Sequence, residues 1–137
     1  MIVLDENLDE QRVRAPLARR HKGKVISVRE LRPGTVIKDE AIPAILSQHH
    51  NATFVTTNVS DFWRRVPAHT RYCIVCAPLP TERQHELPDL ILRLLREKAF
   101  CTARRRTGKV IRVNRSAISF YEVGRPEVTK LSWERVV

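Results

Sequence analysis

The chain has 137 residues, 42% of them hydrophobic and 29% charged, which is enough for one compact domain and too little for two. Lys and Arg number 25 against 15 Asp and Glu, a net charge of +10, and such an excess points to a polyanionic partner, nucleic acid before an anionic membrane surface. The four glycines, Gly23, Gly34, Gly108 and Gly124, are too scattered for a dinucleotide fingerprint or a P-loop, and no apolar run approaches the roughly 18 residues of a membrane span.

Ile2 to Leu4 is a continuous apolar run, as expected for a strand buried on both faces of a parallel sheet. It runs straight into Asp5 and Glu6, without the basic and apolar stretches of a secretory signal. With an odd set of cysteines, Cys73, Cys76 and Cys101, the expected compartment is the reducing cytoplasm. Asn7 with Glu10 has capping-box spacing for a helix carrying Val13 and Leu17 to near Arg20, with Pro16 marking a kink or a late start. Val25 to Val28 reads as a second strand. After the Pro33-Gly34 turn, Ile42, Ile45 and Leu46 follow helical spacing with Asp39 at the first turn. Thr53 to Thr56 is a third strand, Ser60 a cap for a short helix through Phe62 and Trp63, and Tyr72 to Cys76 a fourth strand. A longer helix is expected over about 83–98, broken near Pro88. Residues 109–113 and 117–122 alternate in period two around Asn114-Arg115, a terminal hairpin. Strands alternating with helices predict an α/β fold, a three-layer α/β/α sandwich with a mainly parallel sheet, one domain over 1–137, with the hairpin as a C-terminal extension.

In such sheets the functional crevice lies beyond the carboxyl ends of the strands. Asp5 follows the first strand, Asp39 opens the second helix and Asp61 follows the third strand, so the alternation carries all three to one edge. Converging carboxylates repel one another, and a divalent cation relieves that repulsion while activating water and stabilising charge on a phosphodiester. Three separate helix caps are the plainer alternative. The segments Leu4-Asp5-Glu6-Asn7-Leu8, Gly34 with Asp39-Glu40-Ala41-Ile42, and Val55-Thr56-Thr57-Asn58-Val59-Ser60-Asp61-Phe62 together resemble the PIN-like family, related to the toxin-type PIN nucleases, over about residues 1 to 78. The resemblance implies a PIN-like fold and metal-dependent ribonuclease activity, with Asp5, Asp39 and Asp61 as catalytic ligands of Mg²⁺ or Mn²⁺ and with Glu6, Asn7, Thr57 and Asn58 lining the site. One position departs from the family's pattern. Val59 stands where Thr-x-Asp-x-Asp-Phe has its first Asp, so a carboxylate is replaced by a side chain that binds no metal. Glu6, Glu40 or Asn58 compensates only if the backbone turns it inward.

The excess of bases grows along the chain, to 14 against 7 acids over residues 71–137. Arg104, Arg105, Arg106, Lys109, Arg112 and Arg115 form its densest stretch and are expected to hold a phosphate backbone. Cys73 and Cys76 match C-x-x-C but fall three apart in an apolar strand, pointing to opposite faces, so packing is expected there. The function expected is RNA hydrolysis, with RNA and, for a toxin-type member, an antitoxin protein as partners and no membrane. A homodimer stays open. The alternative is a catalytically degenerate PIN-like module that binds RNA or a protein partner, which Val59 favours.

Overall fold

The computed structural model describes residues 1–133 of the chain. Strands β1 (Ile2–Leu4), β2 (Val25–Ser27), β3 (Ala52–Thr56), β4 (Tyr72–Cys76), β5 (Lys109–Val113), β6 (Ile118–Glu122) and β7 (Arg125–Leu131) form one sheet in the order β2-β1-β3-β4-β5-β6-β7. The first five are parallel, and β6 and β7 return antiparallel. Strands β1, β3 and β4 are buried at every position, as their unbroken apolar runs require when helices cover both faces of a parallel sheet.

The helices are α1 (Ala15–Arg20), α2 (Ile42–Ser47), α3 (Val59–Phe62), α4 (Leu87–Arg96) and α5 (Ala103–Arg106). Three prolines decide where they begin. Pro16, Pro43 and Pro88 are each the second residue of α1, α2 and α4, and each α-helix follows a turn of different pitch. That turn is a π-helical one at Glu10–Arg14 and a 3₁₀ one at Asp39–Ala41 and at Thr81–Glu86. A proline donates no N–H and its ring collides with the carbonyl four residues back, so a regular α-helix cannot extend backwards through it. The long helix expected over 83–98 is therefore a 3₁₀ turn followed by α4.

Two caps each lie two residues from the sequence expectation. Asp9, not Asn7, caps the first helical turn, accepting the Gln11 and Arg12 N–H groups at 2.8 and 2.9 Å. Asn58, not Ser60, caps α3 by accepting the Asp61 N–H. In both places two competent caps stand two residues apart, and the chain's entry angle selects one.

Leu17, Leu87, Ile91 and Leu94 pack on Leu4, Val55, Val75 and Ile111 on one face of the sheet. Ile42, Ile45, Leu46 and Phe62 pack on Val3, Phe54, Ile74 and Val110 on the other. The result is three layers, with Cys73 and Cys76 buried on opposite faces as expected. Burial pushes both thiols up to about 12, which makes them packing groups rather than nucleophiles. The β5–β6 hairpin forms around Asn114, whose Oδ1 accepts the Ser116 and Ala117 N–H groups at 2.8 Å each. Strand β7 extends it beyond what residue pattern predicts, because the strand is exposed along nearly its whole length and carries no alternation. Trp133 then folds back, donating its indole N–H to the Asn114 carbonyl at 2.9 Å under the Arg93 guanidinium. No helix among the described residues is long and apolar enough to cross a membrane.

The basic triplet of α5 is not uniform. Arg104 and Arg105 are exposed, whereas Arg106 is 4% exposed. Its Nε donates to Thr53 Oγ1 at 3.1 Å and its Nη1 to the Phe100 carbonyl at 2.9 Å, so it ties α5 to the amino end of β3. Replacing Arg106 with Ala leaves a cavity and two unanswered acceptors and is expected to cost about 2–4 kcal/mol. Arg104→Ala is expected to stay within about 0.5 kcal/mol of the parent. Urea denaturation of the two variants side by side measures the contrast.

Candidate functional site: carboxylates at the switch point

The winding reverses at β1. From β1 the chain moves outward to β2 and then returns to β3 on the other side, and the crevice of a doubly wound sheet opens at the carboxyl ends of the strands flanking that reversal. Asp5 leaves the end of β1, and Thr56, Thr57 and Asn58 leave the end of β3. Asp5 is 4% exposed. Its Oδ2 accepts the Thr56 hydroxyl at 2.6 Å and its Oδ1 accepts the Glu6 N–H at 2.8 Å. Thr56 Oγ1 in turn accepts the Asn58 N–H at 2.9 Å. One hydroxyl thus fixes both the first carboxylate and the start of the loop that carries the others.

Asn58 is the hub. Its Nδ2 donates to Asp61 Oδ2 at 2.7 Å and to Asp39 Oδ2 at 3.2 Å, while its Oδ1 accepts from the Asp61 N–H and the Ser60 hydroxyl. The cap geometry therefore orients the amide so that its donor side faces the carboxylates. Asp39 and Asp61 open onto a depression of about 380 Å³ that Arg65 also lines. The structure brings Asp39 and Asp61 together through Asn58 and sets Asp5 behind them, turned toward Thr56 and Glu6.

Electrostatics follow from that arrangement. Burial, a hydrogen bond with Asp61 and the charges of Asp5, Asp61 and Glu40 push Asp39 up to about 6. Burial also raises Asp5, against the opposing pull of its bonds to Thr56 and Glu6. Among the described residues none of the three aspartates has an ion-pair partner, although the chain carries a net charge of +10. The donors are the hard oxygens that suit Mg²⁺ or Mn²⁺. Among the described residues, however, no three His, Cys, Asp or Glu side chains are grouped so as to hold a metal ion. Two carboxylates converge, the third is engaged from behind, and Asn58 Nδ2 lies between the two.

The remaining expected site residues divide. Glu6 gives its N–H to Asp5, but its carboxylate reaches toward Arg29 at 3.8 Å. Asn7 is exposed and offers its carbonyl to Gln84 at 3.4 Å. Thr57 is half-buried, with its carbonyl on the Val59 N–H. Val59 is half-buried and packs on the apolar layer beneath α2 and α3. The residue turned inward among the acids is Asn58. Thr56 was absent from the expected set, and its signal was a Thr adjoining the Thr-x-Asp-like segment at the end of a strand.

The basic stretch does not form one surface. Arg104, Arg105 and Lys109 lie before or at the start of β5, at the amino edge, opposite the acids. There Arg105 donates to the Lys98 carbonyl at 2.6 Å, and Lys109 donates to the Arg105 carbonyl and pairs with Glu122 at 3.7 Å. Arg106 is buried. Arg115 follows β5 and pairs with Glu86 at 2.6 Å. Arg112, exposed on β5, shares the register row of Thr56 and Cys76. Comparison with models of protein families, with curated proteins and with solved structures found no match to this chain.

A carboxylate whose pKa rises on folding binds its proton more tightly in the folded state, so its penalty is absent below the unfolded value near 3.8 and is complete above about 6. Lowering the pH from 7 toward 4 is expected to reduce the Asp39 penalty, by about 1 kcal/mol after allowance for solvent screening at a half-buried group. Asp39→Asn is expected to be stabilising at pH 7 by a similar amount and to flatten that part of the stability profile, as measured by urea denaturation between pH 4 and 7. Val59→Asp places a charge against the apolar layer, and its expected cost of about 1–3 kcal/mol is the same in EDTA and in Mn²⁺ when read by thermal melting.

Proposed function

We propose that this chain is a PIN-like phosphodiesterase that acts on RNA with the help of a divalent cation, Mg²⁺ or Mn²⁺. The observation that carries the reading is the group of carboxylates at the switch point, without a cationic partner among the described residues and with Asp39 pushed up to about 6. Clustered, unneutralised carboxylates destabilise a fold, and their presence at the crevice of a doubly wound sheet is explained by a cation or a proton that they bind in use. Asp39 and Asp61 would hold the cation, which supplies an activated water and stabilises charge on phosphorus when bound. Besides burial, the crowding that raises Asp39 is repulsion among carboxylates, which a bound cation would relieve. Thr56 holds Asp5 in place behind them. Pairing with an antitoxin protein rests on the motif resemblance alone.

Millimolar Mn²⁺ is expected to raise the melting temperature of the wild type, because a ligand bound only by the folded state stabilises it by mass action, by about 2.7 kcal/mol at a hundred times Kd. Asp39→Asn and Asp61→Asn are expected to abolish that rise and, with it, cleavage of a mixed RNA pool. A melting temperature indifferent to Mn²⁺ and an intact RNA pool would remove the enzymatic reading.

The second reading is a non-catalytic module of the same scaffold, and two observations favour it. Asn58 already places an amide donor between Asp39 and Asp61, and Val59 is committed to packing. RNA binding that persists in EDTA, without cleavage in any metal, is its signature.

A further inference from the structure

A second cleft, of about 460 Å³, opens between the loop over 64–68 and the β6–β7 hairpin. Arg65, Val66 and Pro67 line both this cleft and the depression at Asp39 and Asp61, so one short piece of chain separates the two. Specific bonds tie the two walls of the cleft together at its floor. Arg64 adopts a left-handed conformation with φ of 64°; its N–H donates to the Tyr121 hydroxyl at 3.2 Å and its Nη1 to the Pro126 carbonyl at 2.9 Å. The Tyr121 hydroxyl donates in turn to the Val66 carbonyl. A non-glycine residue in that conformation is uncommon and persists only where its surroundings hold it.

The walls carry two kinds of chemistry. Val66, Pro67, Val123 and Pro126 offer apolar surface against which the flat face of a nucleobase packs, while the Tyr121 ring, 7% exposed and lying under the Arg64 guanidinium, braces the floor. Arg65 is exposed, and its guanidinium makes no ion pair or hydrogen bond with any described residue. The acid on the lining, Glu122, is answered by Lys109. A planar guanidinium left free beside an apolar slot suits a nucleotide, whose sugar carries the phosphate a short distance from the base.

We infer that this cleft receives the nucleotide adjoining the phosphodiester presented to the carboxylates, with its base between the loop and the hairpin and its phosphate on Arg65. The inference rests on the RNA-phosphodiesterase reading and adds to it the subsite that positions the strand.

Adenosine and uridine monophosphates, titrated without metal, provide the test, with inorganic phosphate as a separate arm. Trp63, whose ring lies 5.2 Å from that of Tyr121, reports occupancy by its fluorescence. Nucleotides are expected to bind, and Arg65→Gln to weaken them about tenfold, the loss of one charge-assisted hydrogen bond. Val123→Glu, at a rim residue 47% exposed, is expected to weaken them at least as much, with melting temperatures unchanged in both variants. Absence of binding up to about 10 mM, binding indifferent to both substitutions, or inorganic phosphate binding as tightly as nucleotide overturns the inference. Arg65-dependent nucleotide binding by a protein that cleaves no RNA keeps the subsite and removes the phosphodiesterase reading. RNA cleavage with KM unchanged in both variants does the reverse.

Discussion

The Thr56 hydroxyl bridges the seam at which the winding of the sheet reverses, donating to Asp5 Oδ2 and accepting from the Asn58 N–H. A carboxylate that is 4% exposed has lost nearly all of its water, and each hydrogen bond to a charged group returns about 1.5–3 kcal/mol toward that loss. With Thr56 and the Glu6 N–H in place, Asp5 is tolerated at the end of a strand buried on both faces. The same hydroxyl sets the course of the loop leaving β3, which places Asn58 where its side chain caps α3 and meets Asp39 and Asp61. The geometry of the site is thus inherited from two adjacent parallel strands held in register.

The strands and the edge of the sheet that carries the acids were legible in the residues, because an unbroken apolar run of three to five residues has few uses other than a strand covered on both faces. That Asp5, Asp39 and Asp61 lie at the same edge of the sheet followed from alternation alone. What alternation could not show was the order of contacts within that edge: Asp5 lies behind, and an amide, not a fourth carboxylate, mediates between the other two. Asn58 and Ser60 are equally good caps by composition, and the choice between them depends on a backbone entry angle set by β3.

The dispersal of the basic stretch was hidden for a different reason. Arg104, Arg105 and Arg106 are adjacent in sequence, but a single helical turn spreads adjacent side chains around its circumference. One of them is therefore directed inward, where Thr53 and the Phe100 carbonyl accept its protons. The strand that follows then carries later bases to the far edge. Net charge gives the sign of the partner without its location. The cleft beside Tyr121 was equally hidden, since it is built from a loop and a hairpin more than 50 residues apart in the chain.

Strand β7 ends the sheet, and among the described residues nothing pairs with its outer side. An open edge of that kind is a template on which further strands can grow into aggregates. This one is interrupted at its start by Pro126, which has no N–H to offer an incoming strand, and it carries charge at Arg125, Glu127 and Lys130. These residues make the edge a poor growth face, so the hairpin that helps to shape a cleft on one side offers, on the other, an unfavourable template for a continuous ribbon.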